Sequence, residues 1–219
     1  MRIGILGGTF NPIHLAHLRS AEEVREAQRL DRILFIPSAT PPHKQGDGLV
    51  SSTHRLAMVK LAIAGNPHFR VSTAEVERPG RSYSVDTLRA LRAQMPAAEF
   101  HFIMGMDAFR EIATWKEYGS IFSLCHLVVI SRPPAAEADL MAALPVAVRR
   151  EFCYRPRAQR LEHRTGHRVV FQRVTDLDIS ASAIRLRLRQ GLSIRYLVPL
   201  RVERYIARHH LYARKGASH

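Results

Sequence analysis

The chain has 219 residues, 46% of them hydrophobic and 24% charged. That balance is globular, it excludes a low-complexity disordered chain, and the length suits one domain whose core needs no disulfide or metal. The formal charge of +14, from 33 Lys and Arg against 19 Asp and Glu, attracts nucleic acid, steers small polyphosphates toward a cleft, or simply solvates the surface.

Strand and helix patterns alternate. Arg2 to Leu6 is a short apolar strand that runs into Gly7-Gly8, and helical spacing follows from about Leu15 to Leu30. Ile33 to Ile36 is a second strand, stopped by Pro37 and followed by a polar loop from Ser38 to Ser52. A helix from about Thr53 to Ala64 ends at Gly65-Asn66-Pro67, and Phe69 to Ser72 is a third strand. After a loop at Arg78-Pro79-Gly80-Arg81 comes a helix from about Ser84 to Gln94, then a strand from Phe100 to Met104 that ends at Gly105. Short helices at Ala108–Ala113 and Lys116–Leu124 lead to a strand from His126 to Ile130. A helix near Leu140–Phe152, a strand at Arg168–Phe171 and helices near Ser182–Arg189 and Leu200–Arg208 complete the pattern, with a loose tail from Lys215 to His219.

This alternation predicts an α/β fold: an open, doubly wound, mostly parallel sheet with helices on both faces and a helical C-terminal segment. Residues 1–219 read as a single domain, with about 174–213 as its C-terminal helical part. In such sheets ligands bind at the carboxyl ends of the strands. The loops after Leu6, Ile36, Met104 and Phe171 would share that edge.

Cys125 and Cys153 form no metal-ligand spacing and read as small buried hydrophobes, which fits a reducing compartment. The first residues lack a signal-peptide pattern, and no run reaches the ~18 apolar residues of a membrane span. A cytoplasmic protein with no membrane partner is expected.

The segment Gly7-Gly8-Thr9-Phe10-Asn11-Pro12-Ile13-His14-Leu15-Ala16-His17 reads by itself as a candidate anion site, although a Gly-Gly turn is common and two His at this spacing are more often surface or core residues. The glycines allow close backbone approach to a ligand. Asn11 suits an N-cap and Pro12 the first helical position, so a helix N-terminus would offer free N–H groups to an anion. His14 and His17 share a face and can donate to a polyphosphate. A P-loop is excluded, since no Gly-Lys-Ser/Thr ending follows. No metal site is expected either, since the third ligand of an H-E-x-x-H type centre is missing. A second segment, Asp178-Ile179-Ser180-Ala181-Ser182-Ala183-Ile184-Arg185, has Ser180 or Ser182 as a helix cap and Arg185 in the first turns. Arg185 is either solvated or a phosphate ligand.

Together the two segments resemble the G-G-T-F-D-P-x-H-x-G-H and I-S-[ST]-[ST]-x-I-R signatures of the H-x-G-H nucleotidyltransferase superfamily. Asn11 stands in place of Asp, Ala16 in place of Gly, and Ala181 with Ser182 in the two hydroxyl positions. Pro79 to Leu88, Gly105-Met106-Asp107 and Thr114-Trp115 narrow the resemblance to bacterial nicotinate-nucleotide adenylyltransferases. It covers nearly the whole chain and fades from Pro134 to Gly166.

The resemblance implies transfer of adenylyl from ATP to nicotinate mononucleotide, with Mg²⁺ arriving on ATP. His14 and His17 would be catalytic, and Gly7, Gly8, Thr9, Phe10, Gly105, Asp107, Ser180, Ser182 and Arg185 would bind ATP. Asp107 would contact ribose, organise its loop, or merely cap a helix. Thr40, His43, Lys44, Ser84 and Trp115 would receive the mononucleotide, with Trp115 stacking on its ring. The rivals are another small-substrate adenylyl or cytidylyl transferase, such as a phosphopantetheine adenylyltransferase, and a basic nucleic-acid-binding domain. Small-molecule partners, no nucleic acid, and a monomer or homodimer are expected.

Overall fold

The computed structural model describes residues 1–40, 48–131 and 140–213. The strands are β1 (Arg2–Gly8), β2 (Arg32–Pro37), β3 (Phe69–Val71), β4 (Glu99–Gly105), β5 (His126–Ser131), β6 (Phe152–Arg155), β7 (Arg160–His163) and β8 (Arg168–Arg173). The helices are α1 (Leu15–Ala27), α2 (Ser52–Ile63), α3 (Ser84–Gln94), α4 (Met106–Arg110), α5 (Tyr118–Leu124), α6 (Leu140–Ala143), α7 (Ala181–Arg189) and α8 (Leu200–Arg208).

The strands form one sheet in the order β3-β2-β1-β4-β5-β8-β7-β6. Pairing is parallel from β3 to β8 and antiparallel through β7 and β6. The mostly parallel doubly wound sheet is therefore as the sequence predicts. Strand residues alternate between two apolar layers. Ile3, Ile5, Leu34, Phe100, Phe102 and Leu127 pack with α3 and α5, whereas Leu6, Ile33, Phe35, Ile103 and Val128 pack with α1, α2, α7 and α8. Gly4 faces the second layer, where a Cβ would collide with Ile33 and Leu30. The strand order reverses between β1 and β4, which opens a crevice at their carboxyl ends.

Four departures have local causes. Helix α1 stops at Ala27 rather than Leu30, because the chain turns at Arg29, whose φ is 50°. The helix expected over Leu140–Phe152 is four residues of α6 and a 3₁₀ stretch, Val146–Glu151, separated at Pro145, which cannot continue a helix. The hairpin of β6 and β7 was not expected at all. Cys153 lies on β6 at the open edge of the sheet and is exposed, whereas Cys125 is buried as expected. The tail from Lys215 lies outside the described residues.

At the amino ends of the strands one carboxylate joins four neighbours. Oε1 of Glu99 on β4 lies 2.9 Å from Nε2 of His101, 3.3 Å from Nε2 of His126 on β5, and 3.5 Å from both Arg2 on β1 and Arg168 on β8. The backbone N–H of Arg168 donates to Nδ1 of His126 at 3.1 Å. Burial holds both imidazoles neutral: the pKa of His101 is lowered to about 4 and that of His126 to about 3.

Candidate active site

The carboxyl ends of β1 and β4 bring Gly7, Gly8 and Gly105 to the crevice. Among the described residues, a Cβ at Gly7 or at Gly105 would meet nothing within 4 Å. Phe10 turns its ring inward, 6.0 Å from Phe35, with an edge contact to His17 at 5.2 Å. Helix α1 is capped by His14, which corrects the expectation of Asn11 as N-cap and Pro12 as first helical residue. The reason lies in the tertiary structure. Asn11 is buried, and its amide donates to the Gly48 carbonyl at 2.8 Å, while its Oδ1 accepts from Val50 N and from the Tyr212 hydroxyl.

The two histidines lie as their spacing predicts, with ring centroids 3.7 Å apart. The backbone N–H of His14 donates to Nδ1 of His17 at 3.2 Å. In the neutral ring this places the proton of His17 on Nε2, which makes that atom a hydrogen-bond donor.

Ser180 caps α7, and its Oγ accepts from the Ala183 N–H at 3.2 Å and lies 3.1 Å from Oγ of Ser182. Of the two serines offered by the sequence as caps, Ser180 is the one used. From the first turns of α7, Nη1 of Arg185 reaches the Asn11 carbonyl at 2.8 Å. The two signatures, 174 residues apart, thus meet. Nε of Arg185 is buried with no hydrogen-bond partner among the described residues, the state of a donor that awaits an acceptor. Gly105, not Asp107, caps α4. Asp107 sits in its first turn with an exposed side chain 3.9 Å from Arg110, so the helix-cap reading of Asp107 is wrong.

A second wall is built from the loops before α2 and α3. The Ala39 N–H donates to Oγ of Ser82 at 3.0 Å, and the Ser82 N–H donates to the Thr40 carbonyl at 3.2 Å. This joins Thr40 to the segment that ends at Ser84, the first residue of α3. Trp115 is half-buried, with its ring edge-on to Phe102 at 6.2 Å, and packs with Tyr83 against one apolar layer. His43 and Lys44 lie outside the described residues.

Behind this wall are groups that the sequence reading missed. Glu75 is buried and accepts the Thr87 hydroxyl at 2.7 Å. Burial pushes its carboxyl pKa up, against the pull of Thr87, Ser82 and Arg78. Arg55 is 1% exposed, and among the described residues its guanidinium bonds to backbone carbonyls. Neither residue stands out in the sequence, since an Arg on a helix and a Glu near a loop usually face solvent.

Among the described residues, one group of His, Cys, Asp and Glu is spaced to hold a metal: Glu99, His101 and His126. It lies on the opposite rim, and its chemistry opposes a cation. Nδ1 of His126 is an acceptor, so Nε2 carries the proton, and two guanidiniums flank the carboxylate.

The cytidylyltransferase-like family model matches residues 5–187. A Geobacter sulfurreducens protein, described as a probable nicotinate-nucleotide adenylyltransferase, is 56% identical over 216 residues, 99% of this chain and 100% of its own. A Citrifermentans bemidjiense relative of the same description is 55% identical over 212 residues, 97% of this chain and 98% of its own. The Plasmodium falciparum nicotinic acid mononucleotide adenylyltransferase complexed with NaAD shares the fold, with a TM-score of 0.73 at 18% identity over 96% of this chain and 97% of that one. With both signatures meeting at one rim of the sheet, the chain belongs to the nicotinate-nucleotide adenylyltransferase family of cytidylyltransferase-like proteins.

Proposed function

We propose that the protein transfers adenylyl from ATP to nicotinate mononucleotide, giving nicotinate adenine dinucleotide and pyrophosphate. The observation that carries the reading is the bond from Arg185 to the Asn11 carbonyl, which sets the second signature against the first. Residues 1–219 act as one nucleotidyltransferase unit, with about 174–213 supplying the second phosphate clamp.

An oxygen of the mononucleotide phosphate attacks the α-phosphorus of ATP in line. A new P–O bond forms as the bond to pyrophosphate breaks. The nucleophile is already ionised near pH 7, so no general base or covalent intermediate is needed. Catalysis is positioning and charge stabilisation. In this reading Gly7, Gly8, Thr9 and Phe10 give backbone contact to phosphate. His14 and His17 donate to the ATP phosphates, with Nε2 of His17 nearest the charge that develops on the α-phosphoryl. Ser180, Ser182 and Arg185 hold the departing pyrophosphate, and Arg185 turns its buried Nε to it. Gly105 leaves room for the nucleoside, with Asp107 toward the ribose. Trp115 stacks on the pyridine ring, and Thr40 and Ser84 bind beside it, with His43 and Lys44 as further partners.

Among the described residues, the donors around the crevice are imidazoles, hydroxyls and a guanidinium, which suit phosphate rather than a dedicated Mg²⁺ cage. Mg²⁺ would come with ATP and would there supply neutralisation of the phosphate charge. Free thiols and use of ATP fit a cytoplasmic setting.

The test mixes the protein with MgATP and either nicotinate mononucleotide or its amide and follows pyrophosphate. Release that depends on the acid supports the reading, and its absence with the acid sinks it.

A further inference from the structure

The geometry points to Arg55 as a positioning residue that fixes the spacing between the loop that holds ATP and the loop that receives the mononucleotide. The inference rests on the function proposed above. Arg55 lies in the first turns of α2 and is 1% exposed. Nη1 donates to the Thr9 carbonyl at 2.9 Å and to the Ser38 carbonyl at 2.6 Å. Nη2 donates to the Ala39 carbonyl at 2.9 Å, and Nε to the Val50 carbonyl at 3.1 Å.

Thr9 belongs to the turn after β1, between Gly8 and Phe10. Ser38 and Ala39 follow β2 and lead to Thr40. One nitrogen, Nη1, is therefore shared by the two loops, and its two bond lengths set their separation. The Ser38 N–H, which donates to the Gly8 carbonyl at 3.0 Å, is a second tie between the same loops.

A buried cation whose partners among the described residues are all carbonyls is costly. Desolvation lowers the pKa of Arg55, yet guanidinium keeps its proton throughout the physiological range. An apolar side chain of similar volume would pack at lower cost, but it would strand these carbonyls in the interior. Lysine supplies a charge and three donors on a flexible stem, without the planar fork that spans two loops at once. Arg55 itself touches no proposed substrate group. Its effect on the reaction passes through the placement of the two loops.

The test is R55K in the full chain, with thermal unfolding as the fold control. We expect ATP alone and nicotinate mononucleotide alone to bind within about threefold of wild type, while kcat falls on the order of 100-fold, because each loop keeps its own contacts but the two substrates lose their mutual alignment. Amide exchange at Ser38 and Ala39 should speed at least tenfold in R55K, with β4 unchanged, an estimate from the loss of shared bonds worth about 1.4 kcal/mol or more. A folded R55K with kcat within threefold of wild type, or with unchanged exchange at Ser38 and Ala39, overturns the inference. Should R55K fail to fold, wild-type exchange decides: Thr9–Asn11 and Ser38–Thr40 must open together, and independent opening overturns the inference. Wild-type protein that releases no pyrophosphate with nicotinate mononucleotide defeats the proposed function instead, and the exchange data then judge the clamp alone.

Discussion

Tyr212 donates its phenolic hydrogen to Oδ1 of Asn11 at 2.7 Å, across 201 positions of sequence. Burial pushes the pKa of this phenol up, so it remains a donor at any working pH. Asn11 in turn holds Gly48 and Val50 through its amide and its oxygen. Tyr212→Phe should cost about 1 kcal/mol, the net worth of one buried hydrogen bond. Asn11→Asp should cost more, about 1–3 kcal/mol, because a carboxylate oxygen would then face the Gly48 carbonyl where an N–H now donates. Chemical denaturation of both variants checks the order. An Asp variant as stable as wild type would remove the explanation for the Asn found here.

His17→Ala should lower kcat by about 10²–10³-fold, the usual loss when one pre-aligned donor to a developing charge is removed. Far-UV circular dichroism should be unchanged. Single-turnover measurement of the adenylyl transfer step is the check, and turnover close to wild type would contradict the role given to Nε2.

Trp115→Ala should raise KM for nicotinate mononucleotide by about 10–100-fold, as expected for a lost ring stack of ~1–3 kcal/mol. KM for ATP should change far less. Initial-rate data with each substrate varied in turn distinguish the two, and a larger change for ATP would move Trp115 out of the mononucleotide site.

Acid should destabilise the protein through the amino rim. His101 and His126 stay neutral in the folded protein down to about 4 and about 3. In the unfolded chain they protonate near the ordinary value, about 6.5. Between those values the unfolded state binds more protons, so the stability they contribute is complete above pH ~6.5 and is lost as pH falls toward 4. Each should cost about 1–2 kcal/mol by pH 5. Burial alone would raise the pKa of Glu99, but His101, His126 and Arg2 outweigh it and lower the net value. Its contribution is lost at still lower pH. A Tm series from pH 8 to 4.5 should fall more steeply for wild type than for an H101Q/H126Q variant. Parallel curves would refute the assignment.

The parallel strands were legible because burial on both faces leaves short unbroken apolar runs, such as Ile33 to Ile36. The hairpin of β6 and β7 was not. Phe152 to Arg155 and Arg160 to His163 are four residues each, too short to show a period, and the cross-strand pair Arg155–Glu162 forms only once the two strands are aligned. At the site, the shared face of His14 and His17 and the cap at Ser180 could be read because helix geometry fixes which side chains share a turn. Asn11 misled as a cap, since the local preference of Asn before Pro lost to distant partners at Gly48, Val50 and Tyr212. Arg55 was illegible because its partners are carbonyls, which any sequence supplies.

The Glu99 junction and the crevice stand at opposite ends of β4, a strand of seven residues and so about 20 Å of chain at ~3.3 Å per residue. On the proposed function, chemistry and the predicted acid response therefore belong to separate rims, and no residue named for one is named for the other. Substitutions that retune substrate choice at one rim can accumulate without moving the acid limit set at the other, and the acid limit can be shifted without touching turnover.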